Sequence, residues 1–162
     1  MIYRNPSQRV AVLVDVQNLY YSAQALFHTK VNYKNLLQLC VQGRTLTRAI
    51  AYTIKTDDTN EQNFFEALNS AGFEVKEKDL HIFVTGAKKG DWDVGIAMDT
   101  IRIASKVDTI VLVSGDGDFS DLVVYLKGLG CRVEVMGFDQ TTSSKLKDVA
   151  DDYTPLDKKY LI

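Results

Sequence analysis

Two stretches of this sequence are apolar almost without a break, and each runs directly into acid. Residues 9–14 read RVAVLV and are followed by Asp15; residues 109–114 read TIVLVS and are followed by Gly115, Asp116, Gly117 and Asp118. A strand that is apolar at consecutive rather than alternate positions has both faces buried, the signature of a parallel sheet covered by helices on either side. The two strands are natural central neighbours. If adjacent, their tips lie about 5 Å apart, at the carboxyl ends where open parallel sheets bind ligands.

The rest of the chain alternates accordingly. Helical spacing runs over 18–28 and over 33–41, where Leu36, Leu37, Cys40 and Val41 share a side. A β-branched strand covers 45–54. Thr59 or Asn60 is placed to cap a helix that turns Phe64, Phe65 and Leu68 inward and stops at Gly72. Residues 73–76 and 80–84 give a third strand or a short strand pair, and 85–91 is a polar loop. Asp91 is placed to cap a helix over 92–106. Beyond the second apolar strand come a helix over 119–129 ended by Gly130, a strand over 131–136 and a helix over 143–150. The tail 153–162 is expected to return along the sheet edge. This order predicts one α/β domain over 1–162 with right-handed crossovers.

Composition supports a folded globule: 46% of the 162 residues are hydrophobic and 25% charged. The widely separated Cys40 and Cys131 read as buried free thiols of a reducing compartment. No stretch approaches the ~20 apolar residues of a membrane span, so a cytoplasmic location is expected. A formal net charge of −2 argues against coating nucleic acid by overall charge, but leaves room for a nuclease.

Asp15, Asp116 and Asp118 at two neighbouring strand tips would repel one another without a cation. Turn and cap roles account for such residues singly, but not for their convergence. Carboxylate oxygens suit Mg²⁺ or Mn²⁺. Zinc does not fit, because His28 and His81 belong to no Cys/His ligand pattern. Asn18, one helical turn past Asp15, is placed to orient that acid, hold a water or cap its helix. Ser114 and the glycine turn offer a hydroxyl and N–H groups for phosphate. Asp93, in a first helical turn, is placed to close the metal shell from the side. Asp99 lies about 240° further around the same helix, and so either orients a ligand or pairs with a base. Lys88 and Lys89 are candidates for phosphate contact, and Trp92 for base stacking or packing.

Three blocks in this order, VLVDVQNL at 12–19, AKKGDWDVGIAMD at 87–99 and VLVSGDGDF at 111–119, resemble the NYN domain of the LabA-like family, a branch of the PIN-like nucleases. LNSAGFEV at 68–75 and LKDVADDYTPL at 146–156 extend the resemblance over nearly the whole chain. It implies a three-layer PIN-like Rossmannoid fold, with a mainly parallel sheet of order 3-2-1-4-5 between helices. It further implies an acidic metal pocket built from Asp15, Asp93, Asp116 and Asp118, with Asn18 in support and Asp99 as a further recurrent acid. Asp121 is an extra acid that adds to Asp118 or substitutes for it. One departure is Val16-Gln17, where the family often carries a small residue; bulk there narrows the pocket mouth.

The expected activity is metal-assisted hydrolysis of RNA by one or two Mg²⁺ or Mn²⁺ ions. Lys89 would neutralise a phosphate oxygen, and single-stranded or structured RNA is the expected partner. A homodimer is compatible with this reading. The competing reading is a non-catalytic or regulatory RNA-binding module that keeps the acidic pocket. Phosphatase chemistry of the haloacid-dehalogenase type wants an Asp-x-Asp where the chain has Asp15-Val16-Gln17. A receiver domain wants paired acids there.

Overall fold

The computed structural model describes residues 5–55, 61–79, 81–82, 88–89 and 91–162, with backbone alone for 81–82 and 88–89. Six parallel strands form one sheet: β1 (Arg9–Asp15), β2 (Thr45–Lys55), β3 (Glu74–Asp79), β6 (Thr109–Val113), β7 (Arg132–Phe138) and β8 (Asp152–Leu156). Their order is β3-β2-β1-β6-β7-β8. Counting only sheet strands, this is the expected 3-2-1-4-5 with one addition, since the tail contributes a sixth strand, parallel to β7, at the edge.

The consecutive apolar residues of the central strands serve two cores. Val10, Val12 and Val14 of β1 pack toward α1 (Val16–Phe27), α2 (Tyr33–Val41) and α3 (Glu61–Ala71), meeting Leu19, Leu36 and Leu68. Ala11 and Leu13 point the other way. They join Ile96, Val123 and Leu126 from α4 (Asp93–Ala104) and α5 (Ser120–Gly128), and Leu146 from α6 (Ser144–Val149). The two-residue side-chain period of a strand divides one apolar run between both layers. Val111 and Val113 of β6 likewise join the first core, Ile110 and Leu112 the second.

Two boundaries differ from expectation. Strand β3 continues to Asp79 through Lys76, Glu77 and Lys78. As an edge strand paired, among the described residues, with β2 alone, it carries charge at alternate and even consecutive positions, and this hides it from an apolar count. The segment read as a loop over 85–91 contains β5 (Lys88–Lys89), whose backbone pairs antiparallel with β4 (His81–Ile82) in a separate small ribbon. Two lysines carry no strand signal. The candidate caps Thr59 and Asn60 lie outside the described residues. Gly72 and Gly130 end their helices at φ 112° and 89°, in the left-handed region where a Cβ is disfavoured.

A buried ion pair ties α2 to the sheet. The Arg44 guanidinium donates to both Glu134 carboxylate oxygens at 2.9 Å, and both side chains are 1% exposed. Arg44 also donates to the Cys40 and Val41 carbonyls, and Arg132 donates to Glu134. Among the described residues no helix is long and apolar enough to cross a membrane.

Candidate metal centre

Register brings the acids together. Val14 pairs with Val113 across β1 and β6, so Asp15 and Ser114 leave the sheet side by side. Asp15 caps α1: its Oδ1 accepts from the Asn18 N–H at 3.3 Å. Its Oδ2 accepts from the Ser114 hydroxyl at 3.1 Å. The same hydroxyl accepts from the Asp116 N–H at 3.2 Å, and Asn18 Oδ1 accepts from the Gly115 N–H at 2.9 Å. Asp116 in turn caps the 3-10 turn Gly117–Phe119, its Oδ1 accepting from the Asp118 N–H at 2.9 Å.

These bonds explain the glycine turn. A Cβ on Gly115 would come within 2.6 Å of the Thr141 carbonyl oxygen, and one on Gly117 within 2.7 Å of Ser143 Oγ. The segment 141–143 therefore presses on the turn, and Ser143 N–H donates to the Gly115 carbonyl. Only a residue without a side chain lets the turn lie this close to its neighbour.

The outcome is a trio. Asp93, Asp116 and Asp118 each offer a carboxylate oxygen, and these oxygens lie within 4.8 Å of one another. Asp93 and Asp116 are half-buried and Asp118 is exposed. Asp15 is not one of the trio; it is 8% exposed, and each of its oxygens accepts a hydrogen bond inside the protein. Burial raises its pKa, against the opposing hydrogen bonds from Asn18 and Ser114, and the charges of Asp116 and Asp91 raise it further. Asp93 is pushed up to about 7, first by burial and then by Asp116, Asp91, Asp15 and Asp118. The charged neighbours Asp116, Asp91, Asp15 and Asp118 are all carboxylates. A hard divalent cation is the partner this donor set fits, since it would replace mutual repulsion with attraction.

Asp91 belongs to this field and was expected only as a helix cap. It does accept from the Asp93 N–H at 3.2 Å, but its charge also acts on Asp93 and Asp15. The Asp-x-Asp spacing at 91 and 93 was the available signal. Asp121, in contrast, is exposed in the first turn of α5 and outside the trio. Ser114 was expected to face phosphate; it is fully buried and spans Asp15 and Asp116 instead. Asn18 uses its carbonyl oxygen to hold the Gly115 backbone. The side chains of Lys88 and Lys89 lie outside the described residues.

The start of α4, and hence Asp93, is anchored from below. Trp92 is a packing residue. Its indole N–H donates to the Thr53 carbonyl at 2.7 Å, and its ring lies against Tyr52 with centroids 5.3 Å apart. Lys78 covers that ring at 5.0 Å and donates to the Asp91 carbonyl. Asp99, six residues along, points away from the trio. It accepts from the Tyr52 hydroxyl at 2.7 Å, from Lys76 at 2.8 Å and from Arg102 at 3.2 Å. Burial opposes its ionisation, but Lys76 and Tyr52 prevail and hold the carboxyl below its usual range.

The chain resembles known proteins along most of its length. It is 28% identical over 160 residues to the low amplitude and bright protein LabA of Synechococcus elongatus, covering 91% of this chain and 83% of that protein. A crystal structure of VPA0982 from Vibrio parahaemolyticus, a protein of unknown function, shares 37% identity and superposes with a TM-score of 0.91 over 99% of this chain and all of that one. The T5 D15 protein, co-crystallised with metal ions, shares the fold at 19% identity and a TM-score of 0.51, over 82% of this chain and 56% of that one. The NYN domain model matches residues 9–157. On this match, which spans most of the chain, the protein belongs to the NYN domain family.

Proposed function

We propose that this protein is a Mg²⁺- or Mn²⁺-dependent ribonuclease whose metal is held by Asp93, Asp116 and Asp118. The observation that carries the reading is the trio itself, with oxygens within 4.8 Å and Asp93 raised to about 7 by burial and neighbouring carboxylates. A bound divalent ion supplies Lewis-acid polarisation of a phosphodiester and lowers the pKa of its water. The chain's own residues do the rest. Asp15, its oxygens held by Ser114 and Asn18 N–H, sets the position of the Gly115–Asp118 turn and adds negative charge to the field at Asp93. Asn18 fixes the turn through the Gly115 N–H. Asp91 holds the first N–H of α4 and so the direction in which Asp93 enters the site.

The test is cleavage of mixed RNA and DNA oligonucleotides with Mg²⁺, Mn²⁺ or chelator. Metal-dependent cleavage of RNA, lost in Asp116→Asn with the melting curve retained, is expected. Undiminished cleavage by that variant would sink the assignment. RNA binding without cleavage by the wild-type protein would move the reading to a non-catalytic RNA-binding module.

A further inference from the structure

Helix α1, which Asp15 caps, carries an aromatic pair that core packing does not account for. Tyr20 is 46% and Tyr21 62% exposed, and their rings meet edge to face with centroids 5.7 Å apart. An open helix position is served better by Lys, Glu or Gln than by an aromatic residue, which loses rotamer freedom against the preceding turn. An edge-to-face pair also leaves ring faces open to a third aromatic partner.

Helical geometry sets where the pair stands. Asp15 caps α1 and Asn18 reaches the Gly115 backbone. Tyr21 follows Asn18 by three residues and Gln17 by four, which stacks it on their side of the helix, about 4.5 and about 6 Å further along the axis respectively. Leu19, Ser22 and Ala23 take the buried side. Ser22 meets the Thr141 hydroxyl at 2.9 Å, in the segment pressed against the glycine turn. Tyr21 thus stands about one helical turn beyond Asn18, which holds the glycine turn at the rim of the metal centre.

The chemistry of that rim indicates the ligand. Asp15, Asp91, Asp93, Asp116 and Asp118 repel the phosphates that lie beyond a bound ion, so a strand gains from an uncharged hold close by. Stacking on an aromatic ring supplies one, accepts every base, and requires the base to be unpaired. We propose that Tyr20 and Tyr21 form a stacking platform for unpaired bases, so that the nucleic acid engaged by this site is single-stranded and runs along α1. The inference rests on the nuclease reading for its substrate class, but is tested apart from it.

The experiment is equilibrium binding by fluorescence anisotropy in Ca²⁺ buffer. The probes are a labelled short oligouridylate, an abasic strand of equal length and a blunt duplex. Tyr21→Ala should weaken oligouridylate binding roughly 5- to 100-fold, and Tyr21→Phe should restore it. The wild-type protein should disfavour the abasic strand and the duplex by similar factors. The salt dependence of binding should be the same in Tyr21→Ala, because no phosphate contact is removed. Melting curves check that these exposed substitutions leave the fold intact. Equal affinity of wild type and a combined Tyr20→Ala, Tyr21→Ala variant, equal affinity for the abasic strand, or no binding of any probe overturns the platform. Cleavage is measured separately with Mn²⁺. Tyrosine-dependent binding without cleavage upholds the platform and removes only the ribonuclease reading; cleavage with tyrosine-independent binding does the reverse.

Discussion

Asp93 concentrates the electrostatics of the site in one side chain. Its carboxyl is raised to about 7 by burial and by Asp116, Asp91, Asp15 and Asp118. Between the ordinary value of 3.8 and about 7 the folded chain therefore holds more proton than the unfolded chain. Stability from this group is full below pH 3.8 and is lost as pH rises through 7. Asp93→Asn should accordingly stabilise the metal-free protein at pH 8 by about 1–2 kcal/mol, reduced from the full shift because the site opens to water. It should change little below pH 4. Thermal melts in chelator across this range check the sign, and a variant gain that is larger in acid than at pH 8 would contradict it. The same substitution should weaken the response to metal. A divalent ion at 100 times its dissociation constant adds about 2.7 kcal/mol to the wild-type protein, and Asp93→Asn should lose most of that gain. A shared increment in both proteins would show that the ion binds elsewhere.

At the scale of elements, the site depends on three starts of secondary structure being held at fixed angles: α1 after β1, the glycine turn after β6, and α4 after the small ribbon. Ser114 joins the first two, accepting from Asp116 N–H and donating to Asp15. Ser114→Ala leaves both groups short of a partner in a buried place and should cost about 1–3 kcal/mol, with a parallel fall in metal affinity by calorimetry. The third start hangs on Trp92, Tyr52 and Asp99. Tyr52→Phe removes a hydrogen bond to an ionised carboxylate and should destabilise by about 1.5–3 kcal/mol. Its effect on metal binding should be smaller than that of Asp93→Asn, since Lys76 and Arg102 still hold Asp99. Denaturant unfolding with and without Mn²⁺ separates the two quantities.

For the whole molecule, two cores and one buried ion pair carry the frame on which the acids are mounted. Arg44 and Glu134 pair near the sheet's opposite end, bonded in bidentate fashion and sealed from water. Burial disfavours the Glu134 carboxylate, yet Arg44 and Arg132 keep it below its usual range. Arg44→Met should therefore cost about 3–5 kcal/mol by stranding a buried charge, whereas Arg44→Met combined with Glu134→Leu should recover most of the loss. If the single variant unfolds at the same denaturant concentration as wild type, the pair is not the fastening described. The frame itself was legible from residues 9–14 and 109–114, because unbroken apolar runs admit few environments other than a doubly covered parallel sheet. The exit of Asp15 and of the Gly115–Asp118 turn from neighbouring strands followed from that topology. The separate blocks of sequence also contained Asp93. What the linear order did not contain was the division of labour among these acids. Asp15 accepts from the Ser114 hydroxyl and caps α1, while Asp93, Asp116 and Asp118 meet within 4.8 Å. Asp99 faces Tyr52 and Lys76 rather than the site, and Trp92 is spent on packing. Burial pattern depends on local period and is written along the chain, while a side chain's partner depends on which distant backbone arrives beside it. Only the register of β1 with β6 and the placement of α4 on the sheet decided that.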